Sequence, residues 1–222
     1  MNYVKKIRFK ALCYTDYKGY NGLFEINRYF SNGLNIKAMK KIIFSLFMIF
    51  GLGYFSNAQS FRGPDKSPMD VAYLPDNFAH DRKAGEEVVA KVYYSRPNKA
   101  DRVVFGGIVP FGKVWRVGAN EAVEFKAFQD ITLGGKALSA GTYSLFAIPN
   151  EGEWTIIINS DLDYWGAFKY DESKDVLRIS VPSKSIEEPI ESFSIRFEES
   201  EAGKGVMRMG WDKTMVEIPV SY

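Results

Sequence analysis

The chain has 222 residues, with 29 Lys or Arg, 27 Asp or Glu and a formal net charge of +2. Nine basic and two acidic residues fall in the first 58, which leaves 20 basic and 25 acidic residues, a net charge of −5, on the rest and argues against a nucleic-acid partner. The one cysteine, Cys13, and the one histidine, His80, exclude a disulfide framework and the usual His/Cys zinc or copper site.

The chain opens on residues 1–38, which are basic, aromatic and without periodicity. "MKK" at Met39–Lys41 then precedes the uncharged run "IIFSLFMIFGLGYF", and "SNAQS" follows. A basic start, an apolar stretch too short for a comfortable span of ~20 residues, and Ser56 and Ala58 at the −3 and −1 places read as a signal peptide over 39–58. Residues 1–38 are then expected to be a mis-called leader or extension, with translation starting at Met39. The mature chain lacks a lipid-attachment cysteine, so the expected product is exported, periplasmic or extracellular, and not a lipoprotein. No transmembrane segment is expected once the signal is removed.

Residues 59–86 carry Pro, Asp, Lys and Gly and are expected to form an irregular lead-in that packs through Val71, Tyr73 and Leu74. From residue 87 to 222 the text has period two. "EVVAKVYYS" sets Val88, Ala90, Val92 and Tyr94 on one face, and "AVEFKAF" sets Val123, Phe125 and Ala127. "TYSLFAIP", "WTIIIN", "VLRISVP", "ESFSIRFE", "GVMRMGW" and "MVEIPV" follow the same rule. Alternation in short runs between Gly, Asp, Asn and Pro predicts half-buried antiparallel strands. About nine of them with no long helix predict an all-β fold, a single sandwich or partly closed barrel. "LGGK" at 133–136 and "NEGE" at 150–153 predict tight turns. "SDLDYWGAF" at 160–168 allows one helical turn capped by Ser160 or Asp161. Gly141 two residues before Tyr143 predicts a tyrosine corner, in which the phenol bonds back to the backbone.

Catalytic side chains are scarce. There is no G-x-S-x-G elbow, "GGKA" at 134–137 is a turn rather than a P-loop, and no dinucleotide fingerprint opens a helix. No cofactor is expected. The densest polar cluster is in "VPFGKVWRVGANEAVEF", residues 109–125. Arg116 offers a planar fork that fits a carboxylate bidentately, and Glu121 is a natural partner for it or for Arg96. The cluster beside Trp115 is expected to be a network that holds the turn. Its alternative is an anion or sugar site with Arg116 and Asn120 as donors and Glu121 as acceptor or acid.

"DLDYWGAFKYDESKD", 161–175, sets Tyr164, Trp165, Phe168 and Tyr170 among Asp161, Asp163, Asp171 and Asp175. It reads as a loop whose aromatics plug one end of the sandwich. Sugar stacking through Trp165, with Asp175 nearby, is the functional alternative. D-x-D without a glycine and a distal Glu does not make an EF-hand. For glycoside hydrolysis Glu121 would need Asp161, Asp163 or Asp175 as its second carboxylate, since Glu124 points to the opposite face of a strand.

"YSRP" (94–97), "FGGIVPFGKVWRVGANEA" (105–122), "GTYSLFAIP" (141–149), "EWTIIINSDLDYWGAFKYD" (153–171), "DVLRI" (175–179) and "MGWDKTMVEIPV" (209–220) together resemble a family of secreted bacterial proteins, domain of unknown function 2911. The resemblance spans 66–220. The family pattern reads GANEAT, so Val123 stands in place of threonine and no essential hydroxyl is implied there. The resemblance implies a compact, exported, mostly β domain and no particular activity. The expected function is a binding or envelope-associated module for a small anionic or sugar ligand. The alternative is a glycan-directed hydrolase with Glu121 as acid/base.

Overall fold

A computed structural model of the protein describes Lys40, Lys41 and residues 61–222. The chain divides into units 1–61 and 62–222, and the second is described below. The leader lies outside the described residues, as does the signal segment apart from its two lysines. Among the described residues no helix is long and apolar enough to cross a membrane.

The second unit is all-β, as the alternation predicts. Nine antiparallel strands follow in chain order: β1 Met69–Leu74, β2 Ala90–Ser95, β3 Val123–Ala127, β4 Ile131–Leu133, β5 Lys136–Leu138, β6 Gly141–Pro149, β7 Glu153–Asn159, β8 Asp175–Glu201 and β9 Lys204–Ser221. One turn of helix, α1 Phe78–Asp81, follows β1. The sheet order is β1-β2-β3-β6-β7-β8-β9-β4-β5. The first part of β8 pairs with β7 and the rest with β9, with register shifts between Ser185, Ile190 and Ser194. These irregularities let one long strand bend from one layer into the other.

Three strands differ from the sequence reading. The lead-in is not irregular throughout: β1 pairs from Met69 opposite Ser95 to Leu74 opposite Ala90. Ala72 and Leu74 face the core, while Val71 and Tyr73 are half-buried on the other side. "VLRISVP" and "ESFSIRFE" join into β8, and "GVMRMGW" and "MVEIPV" into β9. The fine divisions vanish because a bulged strand keeps pairing where an isolated one would stop.

The inner face carries the alternation. Ala90, Val92, Tyr94, Val123, Phe125 and Ala127 are all buried in one cluster. At its centre Trp115 lies 5.9 Å from Trp154, 5.3 Å from Phe193 and 6.2 Å from Trp211, ring centre to ring centre. Each such ring contributes its buried area, and each edge-on pair about 0.5–1.5 kcal/mol more. The turn glycines behave as predicted. Gly134 and Gly135 take φ of 55° and 81° between β4 and β5, a pairing of left-handed residues that suits a two-residue hairpin. The Tyr143 hydroxyl donates to the Ser139 carbonyl at 3.0 Å, the bond of a tyrosine corner. A Cβ on Gly141 would lie 2.8 Å from that hydroxyl, which is why glycine stands there.

β6 and β7 are buried on both faces. Phe146 and Ile157, on the outer face, pack with Tyr164 and against Val114, Ala122, Ile148, Ala167 and Tyr170. Segment 160–171 therefore covers the back of these strands instead of plugging an end of the sandwich. It holds no helical turn at 160–168. The nearest is a 3-10 turn at Glu172–Lys174, where Asp171 accepts from the Ser173 amide.

Candidate functional site

The two polar stretches singled out in sequence meet in space. The first leaves the edge of β6, where the Trp115 and Ala147 backbones exchange hydrogen bonds of 2.7 and 2.9 Å. It returns into β3 with the Val123 amide donating to the Arg116 carbonyl at 3.3 Å. Between them Val117, Gly118 and Asn120 take φ of 58°, 142° and 58°. A β-branched residue in this region is a true outlier, costing of order 1–3 kcal/mol, and burial of Val117 at 0% exposure offsets it. Gly118 passes the end of β2 so closely that a Cβ would sit 2.8 Å from the Ser95 carbonyl.

The second stretch lies alongside. The Ala122 amide donates to the Tyr164 carbonyl at 3.0 Å and the Gly166 amide to the Asn120 carbonyl at 2.9 Å, with Glu121 and Trp165 opposite each other. This short ladder carries two exposed aromatics, Trp165 at 63% opposite Glu121 and Phe168 at 83% on the side of the arginine. Gly166 joins them. A Cβ there would lie 2.8 Å from the Phe168 ring and 3.3 Å from Arg116 Nη1, and its φ of 71° suits glycine.

Arg116 is the chemical anomaly. Its Nε is buried with no hydrogen-bond partner among the described residues. Desolvation pulls its pKa below the ordinary value, the direction expected for a cation removed from water without a counter-charge. The network anticipated for it is not formed. Glu121 is exposed and makes no ion pair with Arg116 or Arg96 among the described residues.

The other candidates are placed as follows. Arg96 spends all three nitrogens: Nη1 on Asp70 at 2.9 Å, Nε on the Phe193 carbonyl at 3.2 Å and Nη2 on Ser194 Oγ at 2.8 Å. It ties β2 across to β8 and also lines a cleft of about 430 Å³ with Asp70, Tyr73, His80 and Tyr94. Trp115 is part of the core, and its Nε1–H donates to the Gly118 carbonyl at 3.2 Å, so it anchors the loop from beneath. Asn120 donates through Nδ2 to Asp65 at 3.0 Å, and the Ser67 amide, followed by Asn120, holds that carboxyl below its usual value. Asp175 is saturated, accepting from Asn159 at 2.8 Å, Tyr170 at 2.6 Å and Arg178 at 2.7 Å. Burial, and then the bond to Asp175, push the Tyr170 hydroxyl up to about 12. Asp161 accepts the Tyr164 hydroxyl at 2.7 Å.

Three elements of this site escape a sequence reading: Asp65, the exposure of Phe168 and the role of Gly166. Only the last leaves a mark in the text, a glycine set among aromatics in "YWGAF". Among the described residues no three His, Cys, Asp or Glu side chains gather in a way that could hold a metal ion.

A family model described as "Protein of unknown function (DUF2911)" matches residues 76–220. No curated protein and no solved structure matches the chain.

Proposed function

The chain belongs to the DUF2911 family, whose description carries no activity, and from the geometry of the site we propose that it is an exported module that binds a small anionic ligand at Arg116. The carrying observation is the guanidinium without a partner among the described residues, close to the exposed Phe168 and on the loop pair that also bears the exposed Trp165. The half-buried guanidinium makes no hydrogen bond or ion pair among the described residues, and a carboxylate or similar oxyanion on its accessible nitrogens would supply the counter-charge it lacks. Trp165 and Phe168 offer flat surfaces for the ring of a sugar acid or an aromatic acid. Strain at Val117 and the close approach at Gly166 fit a backbone shaped to hold that arginine in place.

A hydrolase reading needs a second, available carboxylate near Glu121. Asp161 and Asp175 are both committed to tyrosines, which leaves that reading to the exposed Asp163 alone, and the unpartnered arginine makes binding the reading the site favours. Export rests on the basic start, apolar run and Ser56/Ala58 pattern of 39–58. Mass spectrometry of the protein from its native host should find an N-terminus at Gln59; a product that starts at Met1 or Met39 would refute it.

Thermal-shift titration tests the ligand. A panel of uronic acids and aromatic carboxylates should contain members that raise the melting temperature saturably in the native protein. The same members should give no rise with Arg116→Ala and a reduced one with Trp165→Ala. An equal rise in Arg116→Ala and native protein would overturn the assignment.

A further inference from the structure

A second cleft, of about 400 Å³, is built where four parts of the chain converge. The β6–β7 turn supplies Asn150, the bend of β8 supplies Ser183 and Ser185, the bend of β9 supplies Lys213 and Thr214, and the stretch between β2 and β3 supplies Phe105 and Phe111. Trp154, 1% exposed, and Phe105, 4.8 Å from it between ring centres, are packed together at its base. Phe111 stands at its side, 38% exposed.

The walls are fixed. The Gly112 amide donates to the Pro149 carbonyl and the Ser183 amide to the Gly152 carbonyl, both at 2.9 Å. Gly106 has φ 81°, and a Cβ there would come within 2.8 Å of the Phe111 ring, so this glycine allows the ring its position. The polar lining is unspent. Among the described residues the side chains of Asn150, Ser183, Ser185, Thr214 and Lys213 take part in no hydrogen bond or ion pair within the chain. Lys184 at the rim pairs with Glu217, and Glu151 and Lys213 line the cleft unpaired among the described residues.

We infer that this cleft is a binding site for a neutral saccharide. A pyranose has an apolar C–H face and an equatorial belt of hydroxyls. Phe111 matches the face, while the amide, the three hydroxyls and the ammonium match the belt, since each can donate and all but the ammonium can also accept. The volume suits one or two sugar units. Mixed charge and several neutral donors and acceptors line this cleft, where the Arg116 site offers a cation alone, so the two sites differ in chemistry.

Isothermal titration of the full chain with maltose, cellobiose and N,N′-diacetylchitobiose tests the inference. At least one should bind saturably. Phe111→Ala and Asn150→Ala should each weaken that sugar about tenfold, the loss of one stacking or bidentate contact. Both positions are exposed, and far-UV spectra of the variants establish that the sheet is retained. No saturable binding of any of the three sugars, or undiminished affinity in both variants, would overturn the site.

Discussion

Arg96 and Arg116 lie beyond the same ends of neighbouring strands, one just after β2 and the other just before β3. Arg96 has a partner for every nitrogen; Arg116 Nε has none. The aromatics follow the same division. Phe193, against Arg96, is buried between Tyr94, Trp115 and Trp211, whereas Phe168, against Arg116, stands in solvent. One region spends its polar and apolar groups on the fold. The other leaves them available, and burial alone does not tell the two apart. What separates them is whether a second strand arrives to use the donors.

The contrast can be broken most sharply through the aromatics. Phe193→Ala should cost about 3–5 kcal/mol in urea denaturation, since it opens a cavity in a ring cluster. Phe168→Ala should stay within about 0.5 kcal/mol of the native protein. Comparable losses in the two variants would mean that Phe168 packs as core.

The arginines give the next effect. Arg96→Ala should lose about 2 kcal/mol, because its bonds to Asp70 and to β8 are charge-assisted. Arg116→Ala should match or exceed native stability, since it removes a desolvated charge with no counter-ion. If Arg116→Ala lost as much as Arg96→Ala, Arg116 would be a structural residue.

The smallest effect is electrostatic and belongs to the spent side. Lys184, and then Arg208, hold the Glu217 carboxyl below its ordinary value of 4.5. A lowered folded-state pKa gives stability that is present above 4.5 and is lost as pH falls through the folded value. Melting temperature against pH should therefore fall on the acid side, and Glu217→Gln should make that limb shallower. The change should be small, about 0.2–1 kcal/mol for partly exposed pairs. An unchanged limb would show that the pairs persist without stabilising the sheet.

Local chemistry made much of the fold legible. Period-two runs placed Ala90, Val92, Val123 and Phe125 inward, the paired glycines set the β4–β5 hairpin, and Gly141 with Tyr143 gave the corner. β1 was hidden because Pro68, Asp70 and Pro75 give its surroundings the composition of a loop, although Ala72 and Leu74 alternate with Val71 and Tyr73. The site was half legible. Arg116, Asn120, Glu121 and Trp165 were found as residues, but Arg116 and Glu121 are not joined to each other, and Trp115 and Asp175 serve the core and the loop foot.

By itself the sequence determined which residues alternate, where the chain turns and how poor it is in nucleophiles and soft metal ligands. Each of these depends on neighbours a few positions apart. Tertiary structure alone decided which polar groups are satisfied. Arg96 meets Ser194 across 98 positions, and Glu121 meets Trp165 only once two loops lie side by side. Hydrogen bonds act over about 3 Å, so partner choice is set by how the sheet curves back on itself, and no local pattern encodes that distance.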